Sequence, residues 1–91
     1  MHVFVTVGST RFDDLVNAVL SSAIQNTLRT KGYSSVVVQC GNSSFDPAPF
    51  KAVGDVWLRN SPVDTEVWRF KSTLQDEYER ADLVISHAGS R

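Results

Sequence analysis

Two runs of β-branched and aromatic residues lie on either side of one helix pattern near the start of the chain. The first run, HVFVTV at residues 2–7, ends at Gly8, and the second, SVVVQC at residues 35–40, ends at Gly41. Both runs are typical of buried strands. The connection between them is far too long for a hairpin, so we predict a β-α-β unit with parallel strands.

The connecting segment repeats apolar residues at the spacing of one helix face. Thr10 and Asp13 resemble a capping box, with Asp in place of the usual Glu or Gln, and Gly32 is typical of a helix stop. We therefore predict one continuous helix with a buried apolar stripe. That stripe consists of Phe12, Leu15, Val16, Val19, Leu20, Ala23, Ile24 and Leu28.

Residues 41–62 contain all three prolines of the chain. We predict a long irregular connection here, with a brief extended piece at residues 56–58. The next stretch is ambiguous. Either one helix starts near Pro62, or a strand at residues 65–70 precedes a helix at residues 73–81.

We favour the strand followed by the helix, because Ser72 and Gln75 would then form a capping box. That helix is expected to bury Leu74, Tyr78 and Ala81. Residues 83–86 indicate a last buried strand. The alternation of strands and helices predicts an α/β fold with a Rossmann-like parallel sheet.

The composition excludes several classes of protein. The 91 residues carry a formal net charge of −1, and the nine basic residues are spread along the chain, which argues against nucleic-acid binding. We find no membrane span or signal peptide and expect a cytoplasmic protein. Cys40 is expected to be a reduced core residue. With one cysteine and two distant histidines we expect no metal site, and we expect no cofactor.

Two short polar segments follow predicted strands, at the positions where α/β folds bind ligands. Glycine permits a close approach of the backbone, and hydroxyl and N–H groups can donate to phosphate oxygens. The simpler alternatives are that Gly8 only forms a turn, Thr10 only caps a helix and His87 only ends a strand. The candidate residues are Gly8, Ser9 and Thr10 after the first strand and His87, Ala88, Gly89 and Ser90 after the last.

Several segments resemble a known family. VFVTVGST at residues 3–10, VVVQCGN at residues 36–42 and ADLVISHAGS at residues 81–90 are similar to the cytosolic UDP-N-acetylglucosamine transferase subunits of dolichol-linked oligosaccharide synthesis. Those subunits resemble the C-terminal domain of glycosyltransferase family 28. The resemblance implies that residues 1–91 are the N-terminal part of a GT-B C-terminal-type domain. Arg91 departs from the family pattern, and the resemblance implies truncation after the HAG motif.

The resemblance also implies a site and partners. Gly8, Ser9 and Thr10 would face the diphosphate of UDP-N-acetylglucosamine, and the turn at residues 87–90 would hold its phosphates. The family transfers N-acetylglucosamine to N-acetylglucosaminyl-diphosphodolichol, a lipid-diphosphate acceptor presented with a membrane-anchored partner subunit. That partner would recruit the chain to the cytosolic face of the endoplasmic reticulum. The resemblance identifies no general base, so the catalytic residue is unknown, and it implies that this chain alone is inactive.

Two other functions stay open at the level of the sequence. The chain could be a non-catalytic module that binds the membrane partner, with Phe12 and residues 45–50 on the binding surface, although these aromatic residues could equally belong to the core. An unrelated nucleotide-binding domain is the other possibility, and it would bind adenine nucleotides as well as uridine nucleotides.

Overall fold

The computed structural model describes residues 1–7, 11–60, 63–70 and 75–86. Within these ranges six strands form one sheet in the order β3-β4-β5-β2-β1-β6. The strands are β1 (His2–Thr6), β2 (Ser35–Gln39), β3 (Lys51–Val53), β4 (Val56–Arg59), β5 (Asp64–Trp68) and β6 (Leu83–Ser86), and the helices are α1 (Asp13–Leu20), α2 (Ser22–Thr30) and α3 (Gln75–Arg80).

The central strands are parallel, as the β-α-β prediction requires. β1 pairs with β2 on one side and β6 on the other, and β5 extends the parallel part beyond β2. β3 and β4 are antiparallel additions at one edge. The predicted Rossmann-like α/β fold is confirmed. In the described part of the chain no helix has both the length and the apolarity needed to cross a membrane.

The predicted single helix is wrong, because the structure breaks it at Ser21. This residue has an extended backbone with φ −69° and ψ 150°, and its hydroxyl accepts a hydrogen bond from the backbone N–H of Ile24. Ser21 thereby caps α2. The break changes which residues of α2 face the sheet. Ile24 is 41% exposed, whereas Gln25 is fully buried and donates to the Thr65 hydroxyl at 2.9 Å.

The connection after β2 is more ordered than predicted. The extended piece at residues 56–58 is confirmed as part of β4, but the prediction missed β3, which pairs with β4 across a turn where Gly54 has φ +61°. The strand followed by a helix is confirmed by β5 and α3. Ser72 and Leu74 lie outside the described residues, so the second capping box stays a prediction.

The two faces of the sheet are covered unequally. Alternate residues of the strands point to a main core beneath α1 and α2, which includes Val5, Val38 and Val67. The aromatic residues Phe12, Phe45 and Phe50 pack against this core, which favours the core interpretation over a partner surface. The opposite face, here called the α3 face, carries Phe4, Thr6, Val37, Gln39, Glu66 and Trp68 on its strands.

Two predictions of burial are wrong near the end of the described chain. Leu83 and Val84 of β6 are 37% and 36% exposed, since β6 is an edge strand with one neighbour in the described sheet. Tyr78 is 45% exposed, although its ring packs edge-on against Phe4 with the centroids 5.4 Å apart. Glu77 is buried in its place and accepts from Arg80 at 2.6 Å.

Cys40 is expected to react very slowly with thiol reagents in the folded chain. Its side chain is fully buried, and this burial raises the pKa of the thiol. The reactive thiolate is therefore scarce and inaccessible until the chain opens. We expect Ellman's reagent at pH 8 to label the native chain at least ~100-fold more slowly than the chain in guanidinium. Equal rates would show that Cys40 is not a core residue.

The same pKa shift gives a direction for the pH dependence of stability. The folded chain holds the Cys40 proton to a higher pH than the unfolded chain does. The protonated Cys40 thiol therefore contributes to the stability of the folded chain. This contribution is fully present below the pKa of the unfolded thiol, about 8.5, and is lost as the pH rises through the higher folded-state value. In a Cys40→Ser control variant, this loss of stability at alkaline pH should disappear.

Candidate functional site

The carboxyl ends of β1, β2, β5 and β6 meet at one edge of the sheet, here called the carboxyl edge. The register aligns Ser86 with Thr6, Thr6 with Gln39 and Gln39 with Trp68. The predicted residues Gly8–Thr10 and His87–Ser90 lie outside the described residues. The structure does pair Thr6 with Ser86 at the ends of the adjacent parallel strands β1 and β6, and Val7 and Ser86 directly precede the two segments.

A buried polar chain crosses the α3 face just inside this edge. The Thr6 hydroxyl donates to the Gln39 side-chain carbonyl, and the Gln39 amide donates to the backbone carbonyl of Arg69. Thr6 and Gln39 are only 3% and 2% exposed. Because buried polar groups are costly unless they are bonded, these contacts connect the ends of β1, β2 and β5.

The turn that follows β2 is held by a side chain from the end of β5. Gly41 has φ +54°, which a residue with a side chain rarely adopts. Arg69 Nη1 donates to the carbonyls of Gly41 and Ser43 at 2.9 and 3.0 Å. The guanidinium also lies 5.8 Å from the centre of the Trp57 ring. Arg69 thus ties the turn to the sheet.

The first turn of α1 is fixed by the same turn. Phe12 is the N-cap and provides no side-chain hydrogen bond, but its backbone N–H donates to Ser43 Oγ at 2.8 Å. Asp13 accepts from the backbone N–H of Ser44 at 2.7 Å and pairs with Arg11. The predicted capping box is therefore wrong, since Asp13 is the first residue of the helix and not its third.

The charges at the start of α1 are largely paired with one another. Arg11 Nη2 lies 2.9 Å from Asp13 Oδ2, and the hydrogen bonds from Arg11 and from the Ser44 N–H hold the pKa of Asp13 below its usual value. The pKa of Arg11 is correspondingly raised. Asp13 thus stays ionised at neutral pH and keeps its bond to Ser44.

Sequence reasoning missed Ser43, Arg69 and Gln39. A glutamine directly after three valines in the run SVVVQC was an available signal, because a polar residue in a buried strand needs a specific partner. Ser43 and Arg69 carried no comparable signal. Their roles depend on the three-dimensional path of the turn after β2.

A cavity of about 220 Å³ lies near the amino ends of the parallel strands, away from the carboxyl edge. Phe4, Val37 and Leu58 contribute apolar surface to it, and its acidic lining includes Asp64 and Glu66. Three carboxylates and one guanidinium, those of Asp64, Glu66, Glu77 and Arg80, are the Asp, Glu, Lys and Arg groups of its lining, and this excess of negative charge disfavours a diphosphate. In the described ranges no three His, Cys, Asp or Glu side chains are grouped to hold a metal ion.

Comparison with known proteins agrees with this fold. The glycosyltransferase family 28 C-terminal domain matches residues 2–91. The UDP-N-acetylglucosamine transferase subunit ALG13 of Mus musculus is 39% identical over 89 residues, which are 98% of this chain and 7% of the mouse protein. The protein of that name from Homo sapiens is 36% identical over 88 residues, 97% of this chain and 7% of the human protein.

This chain matches a larger share of a fungal relative. The UDP-N-acetylglucosamine transferase subunit ALG13 of Cryptococcus neoformans var. neoformans serotype D (strain JEC21) is 31% identical over 108 residues, 97% of this chain and 54% of the fungal protein. The chain therefore spans about half of this relative and a small part of the mammalian ones. No solved structure matches the chain. Because the family match extends over nearly all residues, this chain belongs to glycosyltransferase family 28, whose C-terminal domain it matches.

Proposed function

We propose that this chain is the UDP-sugar-binding part of an N-acetylglucosaminyltransferase subunit. The observation that carries the proposal is the family match over residues 2–91, together with relatives named as subunits of a UDP-N-acetylglucosamine transferase. The parallel strands support it, since α/β sheets bind ligands beyond the carboxyl ends of their strands. The chain would provide the N-terminal part of the donor-binding domain.

In this proposal the donor diphosphate lies at the carboxyl edge. Gly8, Ser9 and Thr10 follow β1, and residues 87–90 follow the adjacent β6. Hydroxyl groups, backbone N–H groups and the His87 ring would donate to the phosphate oxygens and stabilise UDP as it leaves. A general base would deprotonate the acceptor hydroxyl. We assign that base to no residue of this chain.

The acceptor and the location follow from the same proposal. N-acetylglucosamine would pass to N-acetylglucosaminyl-diphosphodolichol, the second step in assembling the lipid-linked oligosaccharide. A membrane-anchored partner subunit would present that acceptor and recruit the chain to the cytosolic face of the endoplasmic reticulum. We expect little transfer by the chain alone.

A non-catalytic module that binds the partner is the second candidate. Exposed apolar side chains on β6, Leu83 and Val84, favour an additional contact at this edge. Co-expression with the partner subunit separates the two functions. Restored transfer of N-acetylglucosamine supports the catalytic role, and partner binding without transfer supports the module.

A two-dimensional amide NMR titration of the 91-residue chain with UDP-N-acetylglucosamine tests the proposed function directly. Changes in amide chemical shift that are confined to residues near the carboxyl edge, and that ADP-glucose does not cause, support donor recognition. Equal responses to the uridine and adenine nucleotides would favour a general nucleotide-binding domain. A dispersed spectrum without any response would contradict the proposal for this chain.

His87→Ala is expected to weaken the binding of UDP-N-acetylglucosamine about tenfold, which corresponds to the loss of one hydrogen bond to a charged phosphate. The other histidine of the chain provides a matched control. His2 starts β1 at the amino end of the sheet, where its ring contacts the Ser35 hydroxyl. His2→Ala should leave the affinity unchanged. Equal losses in both variants would remove His87 from the proposed site.

A further inference from the structure

Part of the α3 face is left uncovered by the three helices of the described chain. One row of paired residues on adjacent strands crosses this face, and it consists of Leu58, Glu66, Val37 and Phe4. α3 covers the Phe4 end of the row, where the Tyr78 ring packs edge-on against Phe4 at 5.4 Å. The other end is open, since Leu58 is 36% exposed. β4 therefore presents apolar surface to solvent beside α3.

The cavity of about 220 Å³ lies along this row. Phe4, Val37 and Leu58 give it an apolar floor on the sheet, and Glu77, with neighbouring residues of the helix end, lines it from the side of α3. A protein cavity of about 150 Å³ can hold a benzene molecule, so this one has room for a large aliphatic side chain. Burial of such a side chain on an apolar floor is favourable.

Two carboxylates beside the cavity form no ion pair within the described ranges. Asp64 is exposed, and Glu66 is half-buried and accepts one hydrogen bond, from the Trp68 indole at 3.0 Å. Glu77 differs, because it pairs with Arg80 at 2.6 Å. That pair is neutral as a whole, so the negative charge of the lining comes from Asp64 and Glu66. A cationic group placed between them would be attracted to both.

The spacing of these two carboxylates indicates the form of a matching ligand. Asp64 and Glu66 are two residues apart on β5, so their side chains share one face of the sheet about 7 Å apart. Basic residues four positions apart on a helix share one face and are about 6 Å apart along its axis. An added strand is excluded here, because β5 is already paired with β2 and β4. A helix satisfies its own backbone hydrogen bonds and can therefore lie on the face of a sheet.

We propose that the surface formed by Leu58, Asp64, Glu66 and Glu77, here called the acidic groove, docks an amphipathic helix of a partner protein. Basic side chains at positions i and i+4 of that helix contact Asp64 and Glu66, and an apolar side chain between them enters the cavity. The argument for this partner is charge complementarity. Six of the ten acidic residues of the chain lie at positions 64–82, so the field around the groove attracts a basic segment.

The acidic groove lies near the amino ends of the parallel strands, away from the carboxyl edge. The inference therefore goes beyond the proposed function and does not depend on it. Occupation of the groove leaves the donor site open, and a chain that fails to bind UDP-N-acetylglucosamine can still bind the helix. The two failures are thus distinguishable by the titrations themselves.

The probe is a synthetic helical peptide of about five turns, made of leucine, lysine and alanine, with lysines at i and i+4 beside a leucine stripe. In an amide NMR titration of the 91-residue chain, we expect chemical-shift changes around Leu58, Glu66 and Glu77. Two control peptides should bind at least ~10-fold more weakly. One has the same composition in scrambled order, and the other has glutamate in place of lysine. Equal binding of either control peptide would overturn the inference.

Variants of the groove test the contacts one at a time. Asp64→Asn and Glu66→Gln should each raise the Kd of the lysine peptide about two- to fivefold, which is the loss of one exposed ion pair. The new amide of Glu66→Gln still offers an oxygen to the Trp68 indole. Leu58→Ala should raise the Kd about fivefold through lost apolar contact.

Asp14→Asn is the matched control for the charge variants. Asp14 is an exposed carboxylate in the first turn of α1, which covers the opposite face of the sheet, and the substitution removes the same charge as Asp64→Asn. We expect its Kd to equal that of the wild type. An equal rise of Kd in Asp14→Asn and in the groove variants would show unspecific attraction and contradict the docking site.

The remaining outcomes are equally decisive. If no signal responds up to about 1 mM lysine peptide, or if the responding signals lie at the carboxyl edge, the acidic groove is not a docking site. If the groove signals shift with protein concentration when no peptide is present, a second copy of the chain occupies the groove and the proposed partner is wrong. Shifts at the groove that need the lysine peptide and weaken in the groove variants support the inference.

Discussion

Replacing Trp68 with alanine is expected to lower the free energy of unfolding by about 3–5 kcal/mol, the usual cost of removing a buried aromatic side chain. Trp68 is 2% exposed and stacks on Phe4, with the ring centroids 6.3 Å apart. Its indole N–H donates to Glu66 at 3.0 Å. Small domains often have little more than 5 kcal/mol of stability, so we expect this variant to be largely unfolded at 37 °C.

The loss of stability is large because, among the described residues, few side chains besides Trp68 shield the α3 face from water. α3 has six residues, and its Tyr78 is already half-exposed. Without the indole, Phe4 loses its stacking partner and the volume of a buried side chain is left unfilled on the α3 face. Urea unfolding followed by far-ultraviolet circular dichroism measures the change as a shift in midpoint at constant slope.

The second tryptophan provides the control. Trp57 is half-buried and contacts Phe45 edge-on at 5.3 Å, so Trp57→Ala should cost only about 1–2 kcal/mol. Equal urea midpoints for the two alanine variants would contradict the central role of Trp68. A Trp68→Phe variant should recover much of the loss, because it restores the aromatic contact with Phe4.

The sequence predicted the central architecture because that part depends on local patterns. Buried parallel strands are continuous apolar runs, and residues 2–7 and 35–40 have this pattern without ambiguity. The helix break at Ser21 and the strand β3 were missed for different reasons. Ser-Ser inside an apolar period still fits a helix, and Lys51–Val53 becomes a strand only because β4 pairs with it.

The candidate site could be predicted only in part. The parallel topology places the ends of β1 and β6 together, so a general rule for α/β sheets was sufficient to select that edge. The contacts of Ser43 and Arg69 could not be predicted, since they join segments that are separated by tens of residues and depend on the turn at Gly41. The roles of Gly8–Thr10 and His87–Ser90 stay predictions.

Breaking the buried bond between Thr6 and Gln39 is expected to reveal strong coupling between the ends of β1 and β2. Gln39→Leu should cost about 2–3 kcal/mol, because it removes the side-chain acceptor of the Thr6 hydroxyl and one of two donors to the Arg69 carbonyl, which keeps the Gly41 N–H. Thr6→Val should cost about 1–2 kcal/mol, since the Gln39 carbonyl then loses its donor. The Thr6 and Gln39 side chains are only 3% and 2% exposed, so water has little access to replace the lost bond.

The double variant distinguishes this bond from two unrelated effects. When both partners become apolar, neither leaves an unsatisfied group from the shared bond, so the combined loss should be smaller than the sum by about 1 kcal/mol. Urea unfolding of the four proteins measures this coupling energy. Simple additivity would show that the Thr6 hydroxyl and the Gln39 amide act independently, and would contradict the expected coupling. The expected coupling instead makes Gln39 the residue through which the ends of β1, β2 and β5 are held together beneath the candidate site.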